Sequence, residues 1–126
     1  MHTFDDLINI VKELRSEHGC MWDREQTHES LTGCLEEECR EVLDAITHKD
    51  MENLCEELGD LLFQVMIHSQ IAAETGAFNI ETVVDGVCKK MIRRHPHVFG
   101  DVKVETPEEA SELWQAIKKQ EKAKNP

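Results

Sequence analysis

Leu61-Leu62-Phe63-Gln64-Val65-Met66-Ile67-His68-Ser69-Gln70-Ile71-Ala72-Ala73 is apolar almost all round when wound at roughly 100° per residue. A helix with one apolar stripe rests on a core, whereas one apolar on most sides is buried on most sides. The stretch belongs to a longer helical reading, from about Asp50 to Glu74, that stops at Gly76. Outward from it, every other segment also reads as helix. Phe4, Leu7, Ile8, Val11 and Leu14 repeat at three and four residues behind Thr3, a suitable N-cap, and that helix ends before Gly19. Glu17 to Thr27 reads as a loop containing Trp22. A second helix is expected from about His28 to Thr47, with Leu31, Leu35, Val42 and Ile46 on one face. Asn79 can cap a fourth, with Ile80, Val83, Val84, Val87 and Met91 inward, and Pro96 ends it. Thr106-Pro107-Glu108-Glu109 combines a cap, a proline at the first helical position and a capping-box acid, so a fifth helix follows. The fold class is therefore all-α: an antiparallel bundle of about five helices joined by short loops, forming one domain over residues 1–126. One small bundle can hardly cover a central helix apolar on every side. The pattern predicts a homodimer or higher assembly, with a compact monomer as the alternative.

The 14 basic and 26 acidic residues give a net charge of −12, which opposes binding of a nucleic acid polymer over a large face. Aromatic residues are 5 % and tyrosine is absent, so a stacking platform for single strands is poorly supplied. No apolar run is long enough to cross a membrane. Met1 to Asp6 lack the basic start and apolar stretch of a signal peptide. Five cysteines without a C-x-x-C pair argue for reduced thiols, hence a cytoplasmic protein.

Some acids stand where a bundle should be apolar. In Leu35-Glu36-Glu37-Glu38-Cys39-Arg40-Glu41, Glu38 falls almost above Leu31 and beside Val42, Glu41 lies about one turn on, Glu36 points away and Glu37 is lateral. In Glu56-Glu57-Leu58-Gly59-Asp60, Glu57 and Asp60 are again three apart, beside the stripe of Leu54, Leu58 and Leu61. Four carboxylates facing one another repel unless protons or cations intervene. Their hard oxygens suit Mg²⁺ or Mn²⁺, and Mg²⁺ is commonly completed by substrate phosphates. Gly59, between the members of the second pair, removes a side chain where close approach would be needed, or is simply a tolerated helix glycine. Lys89, Lys90, Arg93 and Arg94 close the fourth helix before His95-Pro96-His97, either complementing its dipole or reaching phosphates. Trp22 and Trp114 could each flank a base or pack in the core, and Trp114 lies on an apolar stripe. His68 reads as a hydrogen-bonded core histidine. No phosphate-binding P-loop is present, and Glu25 to His28, an E-x-x-H, lies at a loop–helix junction rather than on a bundle helix.

These motifs resemble the MazG family of nucleoside triphosphate pyrophosphohydrolases. Its E-E-x-x-E and E-x-x-D are matched by Glu37-Glu38-Cys39-Arg40-Glu41 and Glu57-Leu58-Gly59-Asp60. Gly19 to His28 is similar to its G-C-P-W-D-x-x-Q-T-H, Glu56 to Gln64 to its E-E-L-G-D-L-L-x-Q, Arg93 to Gly100 to its R-R-H-P-H-V-F-G, and Trp114 to Lys118 to its W-x-x-I-K. Met21 stands where the family usually has proline, which should loosen the first loop, and Leu113 where asparagine often precedes the tryptophan. Longer members carry two such domains, so regulation by a second half is not expected here.

The resemblance implies a Mg²⁺-dependent enzyme, working as a dimer or dimer of dimers, that splits NTP or dNTP into monophosphate and pyrophosphate. Glu38, Glu41, Glu57 and Asp60 would hold the metal, and Glu37 or Glu41 would orient or deprotonate the attacking water. Lys89, Arg93 and Arg94 would steady the phosphates, and Trp22, Trp114 and Lys118 complete the implied substrate contacts. Few polar side chains are available to read a base edge, so broad base tolerance is expected. The alternatives are a base-selective or phosphoribosyl-ATP pyrophosphohydrolase on the same scaffold, and a non-catalytic acidic bundle that binds a basic partner.

Overall fold

The computed structural model describes residues 1–125, and all regular structure among them is helical. In chain order the helices are α1 (Phe4–Leu14), α2 (Met21–Glu25), α3 (Thr32–Thr47), α4 (Met51–Glu74), α5 (Ile80–Arg94), α6 (Pro96–Phe99) and α7 (Pro107–Lys124). They fall into two compact units, one spanning Met1–Ile80 and one beginning at Glu81.

In the first unit α3 and α4 form the main packed pair, and α1 lies against α4. Thr3 caps α1 in a reciprocal box: the Asp6 backbone N–H donates to Thr3 Oγ1 at 3.2 Å and the Thr3 N–H to Asp6 Oδ2 at 2.8 Å. Asp50 caps α4 by accepting from the Asn53 N–H at 3.1 Å. The core comprises Val11, Leu31, Met66, Ile67 and Ile71, with Leu7, Ile8, Cys34, Phe63 and Ile80 packed against it. Much of it is therefore drawn from the apolar run of α4, as that run demands.

The segment before α3 differs from the expectation of a helix from His28. The Thr27 and Ser30 backbone N–H groups donate to each other's hydroxyls at 2.8 and 3.0 Å, closing a separate turn, and α3 starts at Thr32. This is local side chain competition with the helix ladder. The expected loop itself contains α2. Gly19 precedes it because a Cβ there would collide with the Glu13 and Leu14 carbonyls. The Cys20 N–H donates to Leu14 O at 2.8 Å, which holds the chain against the end of α1. At Gly59 no heavy atom beyond its own helix backbone lies within 4 Å of where a Cβ would stand, so it fits the tolerated helix glycine rather than a point of close approach within the chain.

In the second unit α5 ends at Arg94, and Pro96 both stops it and opens the four-residue α6. Thr106 Oγ1 accepts from the Glu109 N–H at 3.1 Å, while Glu109 Oε2 accepts from the Glu105 N–H at 3.0 Å, so the capping residues read from the sequence do cap α7.

Candidate metal centre

Glu38 and Glu41 stand one turn apart on α3, and Glu57 and Asp60 one turn apart on α4. The packed helix pair converges all four: one oxygen from each lies within 4.8 Å of the others. Glu38, Glu41 and Glu57 are half-buried and Asp60 is exposed. Glu38 Oε2 and Glu57 Oε2 are buried without a hydrogen-bond partner.

Such crowding favours retained protons. Burial pushes the Glu38 carboxyl up first, followed by the charges of Glu41 and Asp60. Glu57 is pushed up to about 7, chiefly by a hydrogen bond shared with Glu41, then by burial and by neighbouring carboxylates. Oxygens around a single Mg²⁺ span up to about 4.2 Å, twice the usual bond length, so small rotations would close this cluster around one cation. Hard donors, two orphaned buried oxygens and mutual repulsion all fit a divalent metal. Glu36 turns outward to Arg40 at 3.3 Å, and Glu37 is exposed, as expected from their positions on the helix.

Trp22 is exposed on α2, within a loop that is firmly tied despite Met21. Arg15 grips both Glu74 oxygens at 2.8 Å and also donates to the backbone carbonyls of Asp23 and Gln26. Gln26 Nε2 donates to Trp22 O at 2.9 Å. The looseness expected from Met21 is offset by these bonds. Sequence reasoning missed Arg15, whose partner Glu74 lies 59 residues away with no motif joining them. His68 has a partner, as expected of a core histidine: its Nδ1 lies 2.7 Å from His28 Nδ1, with the rings stacked. Gln64 was also missed, although a polar residue inside the apolar run four residues beyond Asp60 was a visible signal.

The remaining expected residues belong to the second unit. Lys89 pairs with Asp85 at 2.8 Å on the surface of α5. Arg93 and Arg94 both bind Glu121 of α7, at 2.6 and 2.8 Å. Their guanidinium groups hold the Glu121 carboxyl down at about 2, Arg94 contributing most. The Arg94 guanidinium also lies 5.0 Å from the Trp114 ring centroid, and His95 meets that ring edge-on. Trp114 is thus packed among neighbours, and Lys118 is half-buried one turn further along α7. No motif or spacing signals that Glu121 engages both arginines.

Residues 26–99 match the MazG nucleotide pyrophosphohydrolase domain. The chain is 52 % identical over 121 residues to the nucleoside triphosphate pyrophosphohydrolase/pyrophosphatase MazG of Thermotoga maritima, covering 96 % of this chain and 46 % of that protein. It is 44 % identical over 124 residues to the nucleoside triphosphate pyrophosphohydrolase of Escherichia coli K12, covering 98 % and 47 %. The chain thus spans about half the length of these curated relatives. The crystal structure of a MazG-related protein from Thermotoga maritima superposes with a TM-score of 0.74 at 30 % identity, covering 91 % of this chain and 98 % of that one. The matched residues contain both acid pairs, and the chain belongs to the MazG nucleotide pyrophosphohydrolase domain family.

Proposed function

We propose that the protein hydrolyses nucleoside triphosphates, ribo or deoxy, to the monophosphate and pyrophosphate, with a divalent cation, Mg²⁺ or alternatively Mn²⁺, held by Glu38, Glu41, Glu57 and Asp60. The convergence of these four carboxylates within 4.8 Å carries the reading. A divalent cation bound there would make a water more acidic and offset charge on the departing pyrophosphate. A water oxygen bonds to the α-phosphorus as the bond from that phosphorus to the bridging oxygen breaks, and the proton passes to a carboxylate. Glu37, exposed next to Glu38 in the chain and outside the set of four, is assigned in this reading to orient that water. Glu41, as one of the four converging carboxylates, is assigned to holding the metal, with activation of the water as its alternative role.

By the family resemblance, Lys89, Arg93, Arg94 and Lys118 would supply charge for the phosphates, and Trp22 and Trp114 rings for the base. Use of Arg93 and Arg94 requires Glu121 to share or release them. Broad base tolerance is part of this reading, as the sequence expectation has it. The five cysteines are free thiols, in keeping with a reducing cytoplasm. No helix among the described residues is long and apolar enough to cross a membrane. Met51, Leu58, Leu62 and Val65 leave an exposed apolar stripe along α4, which supports association with a second copy.

The test is a panel of NTPs and dNTPs, including dUTP and oxidised dGTP, assayed with and without Mg²⁺ for pyrophosphate and phosphate in parallel. Mg²⁺-dependent pyrophosphate without phosphate is expected. No product from any nucleotide, with a melting temperature indifferent to Mg²⁺, would leave the acidic interaction bundle.

A further inference from the structure

Gln64 is the polar residue that the fold least explains. It is 7 % exposed, and its Oε1 is buried with no hydrogen-bond partner. Leaving such a group unpaired costs about 1–3 kcal/mol, so the acceptor is available to a donor on a bound molecule. Its place on α4 says where. At roughly 100° per residue, Glu57, Gln64 and His68 fall within about 40° of one another, with Asp60 at the edge of the same stripe. Buried unpartnered atoms recur along it: Glu57 Oε2, Gln64 Oε1 and His68 Nε2. The His68 ring is fixed by the contact of its other nitrogen with His28. The stripe is polar and unsatisfied through the part of α4 that supplies most of the core.

Gln64 lies four residues beyond Asp60, about 6 Å along the helix axis. A comparable span separates the α-phosphate of a nucleotide from its sugar hydroxyls. We infer that Gln64 binds the sugar of the substrate, its Oε1 accepting a hydrogen bond from a ribose or deoxyribose hydroxyl while the phosphates occupy the acid cluster. This rests on the nucleotide reading above and extends it to the nucleoside end. A side-chain amide at this depth would place the α-phosphorus relative to the acids without selecting a base.

The experiment compares ATP, dATP and 2′,3′-dideoxy-ATP on the wild type and on Gln64→Met, by pyrophosphate release with Mg²⁺. Calorimetric binding of the matching α,β-methylene analogues is measured alongside. The wild type should lose about ten- to a hundredfold in kcat/KM, and similarly in affinity, at the step that removes the contacted hydroxyl. Gln64→Met should be flat across that step and should melt no lower than the wild type, because it replaces an unpaired acceptor with an apolar chain of similar length. A flat wild-type series overturns the assignment, as does a variant that keeps the wild-type step. Should Gln64→Met fail to fold, the residue is structural and the inference falls unless Gln64→Asn folds and lowers the step. Failure of the activity itself reads differently: no pyrophosphate from any nucleotide, while the analogue series still reports on the sugar contact.

Discussion

Glu38 carries the site's main tension at the scale of a single residue. Its Oε2 is buried and unpartnered, and its carboxyl is held above the usual range by burial and by the charges of Glu41 and Asp60. In the metal-free protein its charged form is disfavoured by burial and by the neighbouring acids, and in the proposed site it would serve as a metal ligand. Glu38→Ala is therefore expected to lose metal-dependent turnover by more than the roughly 10–100-fold typical of lost outer-shell partners. Its metal-free melting temperature should stay level or rise, since repulsion is relieved. Activity assays and thermal melts with and without Mg²⁺ check both parts, and full activity in the variant would remove Glu38 from the site. Gln64 is the complementary case, a buried acceptor whose want of a partner becomes visible only once the surrounding burial is known.

Elements decide which residues the chain can bring together. The α3–α4 pair converges two i, i+3 acid pairs, and this was legible because helical spacing fixes the face of each acid and a short connection makes the helices neighbours. Less legible were α2, the turn at Thr27–Ser30, and α6. These rest on side chain–backbone bonds and on one proline, which carry no periodicity. In the second unit, Glu121 joins α5 to α7 through Arg93 and Arg94. Its carboxyl is depressed to about 2 from the ordinary 4.5. A depressed acid contributes stability that is present above its unfolded value and is lost as pH falls toward the folded one. The stability gap between wild type and Glu121→Gln should therefore be open at pH 6 and close between about pH 4.5 and 2. Denaturant melts across that range measure it, and a gap independent of pH would mean that the carboxylate charge contributes nothing. Glu74, held low by Arg15, shifts in the same direction.

At the scale of the whole molecule, the apolar run that set the fold class is only partly covered by its own chain. Met66, Ile67, Ile71 and Ala72 are buried, while Leu58, Leu62 and Val65 are 38–49 % exposed on another side of α4. Leu62→Glu, or Leu58→Glu with Leu62→Glu, should convert the proposed assembly to monomer in light scattering at micromolar concentration, because a charge in a buried contact is costly. A wild type that is itself monomeric would overturn the proposed association. The Arg15 clamp has a different kind of consequence. One side chain bonds the carboxylate at the end of α4 and two carbonyls of the loop that carries Trp22, while Gln26 and the Thr27–Ser30 turn continue the chain of bonds toward α3. Opening one part of that segment is therefore expected to release the rest. In native-state hydrogen exchange, its bonded amides should become accessible as one block with a common opening free energy, and Arg15→Lys should split the block in two. The bond network would then set a timescale, on which the backbone around the already exposed Trp22 rearranges all at once or not at all.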